Sequence, residues 1–324
     1  MPGNTTVTDD KASGVTGLAE IETSATSVSV AELVALRKTV GKLNRRTGRR
    51  VQAPVSGSST SAALGRGLDF SEVREYHGGD DVRLIDWKVT ARTGRAHTKL
   101  FTEERERPFF IAIDLRPPMY FGTRVAFKSV IAARLSAIVA WAAAAQRDRV
   151  GGLVFNNNQL LEIKPQAGSR GVTKLLHQMV RLHNSSRRGK FKAEPLSDAL
   201  MRLDRSAHTG SSICLVSDFS HFDSGPHTAN LLRHNHTVAV KVFDPLEAEL
   251  PPPAEYTITD GKRKGRLKTT SARVRQQYRD DFSFRTEQLE HVFSGPGNRF
   301  ISASVTDDPL DVAAVVMNSL PGSS

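Results

Sequence analysis

From Arg107 onward the apolar positions alternate between unbroken runs and helical spacing. Phe109-Phe-Ile-Ala-Ile-Asp114 is a continuous apolar run closed by an acid, the pattern of a parallel strand buried on both faces. Ser212–Ser217, Thr237–Phe243 and Arg299–Ser304 read as further strands. Val150–Phe155 and Leu160–Lys164 flank a turn at Asn156-Asn-Asn158, which predicts a hairpin at one sheet edge. Helical spacing predicts helices over Thr123–Gln146, Gly171–Leu182, Pro195–Arg205, Ala229–His234, Ser271–Phe293 and Pro309–Leu320, with a small basic hairpin from Glu255–Asp260 and Gly265–Thr269. This succession predicts an α/β fold whose doubly wound, mostly parallel sheet carries an antiparallel edge hairpin.

The N-terminal third differs. Residues 1–25 are small, polar and without period, the composition of a disordered tail. Val30, Leu33, Leu36, Val40 and Leu43 then fall on one helical face across Ser29–Leu43, and a Gly/Ser-rich linker follows over Val55–Ala62. The expected organisation is a tail over 1–25, an N-terminal extension over 26–106 and an α/β domain over 107–324.

Composition narrows the class. Hydrophobic residues make up 39% and charged residues 24% of the chain, a balance that suits a folded globular protein. The most apolar helix candidate contains Lys128, Arg134 and Arg147, and its longest apolar run, Ala137–Ala145, is far short of the roughly 20 residues that cross a bilayer. No membrane span is expected. No basic flank with an apolar run marks a signal peptide, and the one cysteine, Cys214, sits in an apolar run as a small core residue, so a reducing cytoplasmic location is expected. The ten histidines show no zinc-type spacing.

The formal charge of +11 is unevenly spread. Arg37–Arg50 and Gly261–Arg275 hold seven basic residues each and Arg181–Lys192 holds five, all without an acid, and the rest of the chain is net acidic. These stretches lack the interleaved aromatics of a base-stacking groove, so solvated surface is the preferred reading over nucleic-acid binding.

Ligands of doubly wound sheets sit beyond the carboxyl ends of the strands where the strand order reverses. Asp114 and Asp218 each close a strand, and the expected order makes those strands neighbours. Both acids also suit a capping role in the turns that follow.

The segment before the core is denser in chemistry: Gly65-Arg-Gly-Leu-Asp-Phe-Ser-Glu-Val-Arg-Glu-Tyr76, then Gly79-Asp-Asp-Val-Arg-Leu-Ile-Asp-Trp-Lys-Val-Thr-Ala-Arg92. It resembles the signature of the bacterial family called domain of unknown function 58, as do Lys99–Arg105, Phe121-Gly122, Asp148–Phe155 and Ser217-Asp-Phe219. That resemblance implies a von Willebrand factor A-like fold with an N-terminal extension, and an adaptor or co-chaperone role beside a MoxR-type AAA+ ATPase and its client. Two readings of the signature stand. Arg74, Asp80, Asp81, Arg83, Asp86, Lys88 and Arg92 form a structural clasp of salt bridges around Trp87, or the segment is an exposed partner surface anchored by Trp87 or Tyr76.

The A-type metal site that the resemblance brings to mind takes Asp-x-Ser-x-Ser, because Mg²⁺ wants octahedral oxygen ligands. Here the motif reads Asp114-Leu-Arg-Pro-Pro118, so both hydroxyls are missing. Asp114 and Asp218 remain, and Arg116 is placed either to neutralise them or to reach solvent. A degenerate site without a metal or other cofactor is expected. The preferred function is a non-catalytic protein-binding module. The alternatives are an anion or nucleic-acid binder on the basic stretches, and a hydrolase using Asp114, Asp218 and His221 as general base.

Overall fold

The computed structural model describes residues 23–47, 68–78, 80–103, 107–186, 196–259 and 264–321. The tail expected over 1–25 lies outside them except for its last three residues, and the Val55–Ala62 linker lies outside altogether.

The elements run α1 (Val30–Ala35), α2 (Val40–Thr47), β1 (Leu68–Glu75), α3 (Trp87–Thr93), β2 (His97–Glu103), β3 (Pro108–Asp114), α4 (Lys128–Ala145), β4 (Arg149–Phe155) and β5 (Leu160–Gln166). They continue with α5 (Gly168–Ser186), α6 (Leu196–Ser206), β6 (Ser212–Ser217), α7 (Pro226–His234), β7 (His236–Phe243), α8 (Pro245–Ala248), β8 (Glu255–Thr259), β9 (Lys264–Lys268), α9 (Ala272–Val292), β10 (Arg299–Ser304) and α10 (Pro309–Ser319). The central sheet has the order β10-β7-β6-β3-β4-β5, parallel throughout except for the antiparallel β4–β5 pair at the edge. Pro165 is tolerated in β5 because an edge strand need not donate on both sides. The chain leaves β3 for β4 on one side and returns to β6 on the other, so the order reverses between β3 and β6.

Period-2 alternation divides each strand between two apolar layers. Phe109, Ile111, Ile113, Cys214, Val216, Val238 and Val240 face a cluster built with α1, α2, α4, α5 and α10. Phe110, Ala112, Leu153, Ile213, Leu215 and Ala239 face a second cluster with α6, α7 and α9. Helices on both faces explain why the strands read as continuous apolar runs.

α4 is apolar all round because it lies between the sheet and other helices. It is the helix, among the described residues, long and apolar enough to cross a membrane, and 83% of it is buried within the body. It starts at Lys128 rather than Thr123, since the Thr123 amide and hydroxyl are both bound to Asp244.

The single helix expected over Ser29–Leu43 is interrupted by a 3-10 turn at Leu36–Thr39, yet Leu33, Leu36, Val40 and Leu43 all stay buried. This segment is part of the main core. Arg134 of α4 pairs with the buried Glu32 at 2.7 Å, and the Trp141 indole donates to the Leu33 carbonyl at 3.1 Å. In β4, a Cβ at Gly151 or Gly152 would collide with the Ile163 or Ile111 carbonyl oxygen, which accounts for the paired glycines there.

Candidate functional site

The carboxyl ends of β3, β6 and β7 each bear an acid: Asp114, Asp218 and Asp244, all buried. β3 and β6 are adjacent, so Asp114 and Asp218 lie at the reversal point of the sheet. Both are also Asx caps: Asp114 accepts from the Arg116 amide and Asp218 from the Ser220 amide, each at 2.9 Å.

Arg116 turns back onto Asp114. Its Nε lies 3.0 Å from both carboxylate oxygens and its Nη2 is 2.7 Å from Oδ2, while the Ser217 hydroxyl donates to Oδ2 at 2.7 Å. Counting the amide bond, five donor contacts saturate this carboxylate, and the guanidinium reaches on to the Ser220 carbonyl at 3.3 Å. Burial works against the Arg116 charge, but the bonds and charge of Asp114 hold its pKa above the ordinary value. Burial in turn pushes the Asp114 carboxyl up, against the pull of Arg116 and Ser217.

Asp218 has a different counter-ion. Lys128, the first residue of α4 and fully buried, places its Nζ 2.9 Å from Asp218 Oδ2 and 2.7 Å from Glu247 Oε1. Burial alone would raise the Asp218 pKa; the Lys128 ammonium and the Ser220 amide outweigh it and hold the carboxyl below its ordinary value. Glu247 is fixed by a capping box: its other oxygen accepts from the Asp244 amide at 2.9 Å, and Asp244 caps α8 through the Leu246 amide.

The sequence reading placed Asp114, Arg116 and Asp218 together but passed over Lys128, Asp244 and Glu247. Asp244-Pro-Leu-Glu247 after a strand is a capping-box pattern that could have been found. Lys128 carries no such signal, because its partners are 90 and 119 residues away. Lys241 was also passed over. It is buried on β7, donates to the Thr286 hydroxyl at 2.7 Å and lies 3.9 Å from the Phe282 ring centre, and burial together with Arg285 lowers its pKa to about 8. His221, the general base of the hydrolase alternative, is exposed three residues beyond Asp218, and among the described residues no hydrogen bond joins it to Asp114 or Asp218.

The signature segment folds as a separate two-stranded ribbon, β1 against β2, and neither apolar cluster draws on its described side chains. Its acids hold the intervening chain. Asp80 accepts from the His77 amide at 3.0 Å and pairs with Arg74 at 2.8 Å. Asp81 caps the 3-10 turn Val82–Leu84 and lies 3.5 Å from Arg83. Asp86 caps α3 through the Lys88 and Val89 amides and lies 3.6 Å from Lys99, and Arg95 pairs with Glu75 at 2.9 Å. These contacts hold Asp80, Asp86 and Glu75 below the ordinary carboxylate range.

A clasp is therefore present, but Trp87 is not at its centre. The first residue after the Asp86 cap, it is 70% exposed, which corrects the expectation of a tryptophan enclosed by charges. Lys88 and Arg92 are exposed on the same helix, outside the clasp, and Tyr76 is half-buried.

Comparison with known proteins places these features. "Uncharacterized protein Rv1480" of Mycobacterium tuberculosis and "Uncharacterized protein Mb1516" of Mycobacterium bovis are each 26% identical over 220 residues, 68% of this chain and 68% of theirs. Among solved structures, BatB from Bacteroides thetaiotaomicron covers 65% of this chain and 97% of its own at 13% identity and a TM-score of 0.38. An aerotolerance-related membrane protein from Bacteroides fragilis covers 66% and 98% at 12% identity and a TM-score of 0.37. The model of the family described as "Protein of unknown function DUF58" matches residues 72–288, a span running from the charged ribbon through the carboxyl-edge acids, and the chain belongs to that family.

Proposed function

We propose that this chain is a non-catalytic protein-binding module with a von Willebrand factor A-like body, an adaptor or co-chaperone for a MoxR-type AAA+ ATPase and its client in the reducing cytoplasm. The observation that carries this reading is the state of the carboxyl edge. Where a doubly wound sheet takes its ligand, the protein has placed its own cations, Arg116 on Asp114 and Lys128 on Asp218, and both are buried.

A hard cation entering there would have to displace a forked guanidinium or a buried ammonium, and only then gather about six oxygens. Among the described residues no group of three or more His, Cys, Asp or Glu side chains is arranged to hold a metal. The edge works as an internal electrostatic lock between strands and α4, and recognition passes to the surface, independent of metal. The exposed Trp87 on the charged ribbon suits such a surface, since tryptophan and arginine dominate interface energetics.

The test is co-precipitation of the purified full chain with the MoxR-type ATPase encoded in the same genome, with nucleotide metal supplied to the ATPase beforehand. Association that persists after chelation of free metal is the expected result. No association in any nucleotide state, or association abolished by Asp114→Ala together with loss of Mg²⁺ binding by this chain, would refute the reading.

A further inference from the structure

We propose that α3 of the signature ribbon is the docking helix for an acidic protein segment, with Trp87 as its apolar anchor and Lys88 and Arg92 as its charge partners. The proposal rests on the reading that the chain acts by binding a protein, and it names the face and the partner's chemistry.

The charge pairing within the ribbon decides the sign. Between residues 73 and 99 there are four acids, Glu75, Asp80, Asp81 and Asp86, and each has a cation of its own in Arg95, Arg74, Arg83 and Lys99. Among the described residues Lys88 and Arg92 are the cations left over. They stand four residues apart on α3, one helical turn or about 6 Å, and both are exposed. Trp87 adjoins them at 70% exposure, and Val82 on the preceding 3-10 turn is 60% exposed.

None of these side chains is needed to hold the ribbon. α3 is started by Asp86 and ended by Gly94 in the left-handed conformation at φ 72°, and Thr90 ties the helix to β2 by accepting from the His97 amide at 3.1 Å. A two-stranded ribbon is marginal in water by itself, and the exposed tryptophan beside it is best used against a partner.

The surplus cations suit a protein carboxylate better than a nucleic acid. Arg92 can fork onto one carboxylate and Lys88 can reach a second a turn away. A phosphate backbone instead requires a run of cations tracking successive charges, with several aromatics for stacking. Here there are two cations and one exposed indole, in a ribbon whose described carboxylates already have cations of their own.

The experiment measures binding of three labelled probes to the full chain by fluorescence anisotropy: a 12-residue peptide of Glu and Asp with one central Phe, the same peptide with Lys in place of the acids, and a 12-nucleotide oligouridine. The acidic peptide is expected to bind at least ten-fold tighter than either of the others, and to weaken at least ten-fold with Trp87→Ala and with Lys88→Glu/Arg92→Glu. Lys88→Gln/Arg92→Gln gives an intermediate loss, and unchanged urea unfolding shows that the variants fold. Equal binding of the acidic and basic peptides, tighter binding of oligouridine, or no response to charge reversal overturns the proposal. Parallel co-precipitation with the ATPase separates the two readings. If wild type and Lys88→Glu/Arg92→Glu capture it equally, the adaptor reading stands and this docking helix is refuted; if neither captures it, the adaptor reading fails and the peptide series alone judges α3.

Discussion

Lys128→Met removes one charge at nearly constant side-chain volume from the most enclosed point of the carboxyl edge. Lys128 is 0% exposed, and its ammonium is shared by Asp218 at 2.9 Å and Glu247 at 2.7 Å. Deleting one partner of a buried ion pair costs about 3–5 kcal/mol, because the remaining charge stays buried without compensation. Glu247 is about one-third exposed and can turn to water, so Asp218 bears most of the loss and the expected value at pH 7 is near the lower end, about 3 kcal/mol.

The pH dependence identifies the cause. In the wild type Asp218 is held below its ordinary value, so its contribution to stability is present above the unfolded value, about 3.9, and is lost as pH falls through the lower folded value. With Lys128 gone, burial is left to raise the Asp218 pKa, and proton uptake on acidification relieves the penalty. The gap between wild type and variant should therefore narrow from pH 7 toward pH 4.5. Urea unfolding followed by circular dichroism at pH 7, 5.5 and 4.5 measures it, and Lys128→Met/Asp218→Asn, which has no stranded charge, should recover more than half the loss at pH 7. A loss below about 1 kcal/mol at pH 7, or one that does not change with pH, would refute the argument.

Trp87→Ala should change stability by no more than about 0.5 kcal/mol, since the ring is mostly in water, while ATPase association falls; unchanged association with unchanged stability would remove Trp87 from both readings of the ribbon. Lys241→Met should stabilise the fold by about 1–3 kcal/mol at pH 7, because a buried lysine with a pKa near 8 is protonated there at a cost. The unfolded lysine binds more protons between pH 8 and 10.5, so wild-type stability rises relative to the variant across that window, and denaturant titrations at pH 7, 9 and 10 would expose a gap that fails to close. Calorimetric titration of Mg²⁺ and Mn²⁺ should show no micromolar site, and binding that Asp114→Ala abolishes would show that Arg116 does not guard the edge.

Local pattern determined most of the architecture. The apolar runs at Ser212–Ser217 and Arg299–Ser304 coincide with β6 and β10, and the asparagine turn after Val150–Phe155 marks the edge hairpin, because periodicity and turn chemistry act over a few residues. The adjacency of Asp114 and Asp218 followed from strand order alone. Where each charge ended up was decided only by tertiary structure. Lys128 looked like a solvated interruption of an apolar helix, and became a buried counter-ion because the crossover returns Asp218 and Glu247 to the N-terminus of α4. Trp87 looked equally suited to the centre of a clasp or to a surface. The choice depended on how α3 packs after its Asp86 cap, which leaves the ring 70% exposed, and the order of residues within the signature does not set that packing.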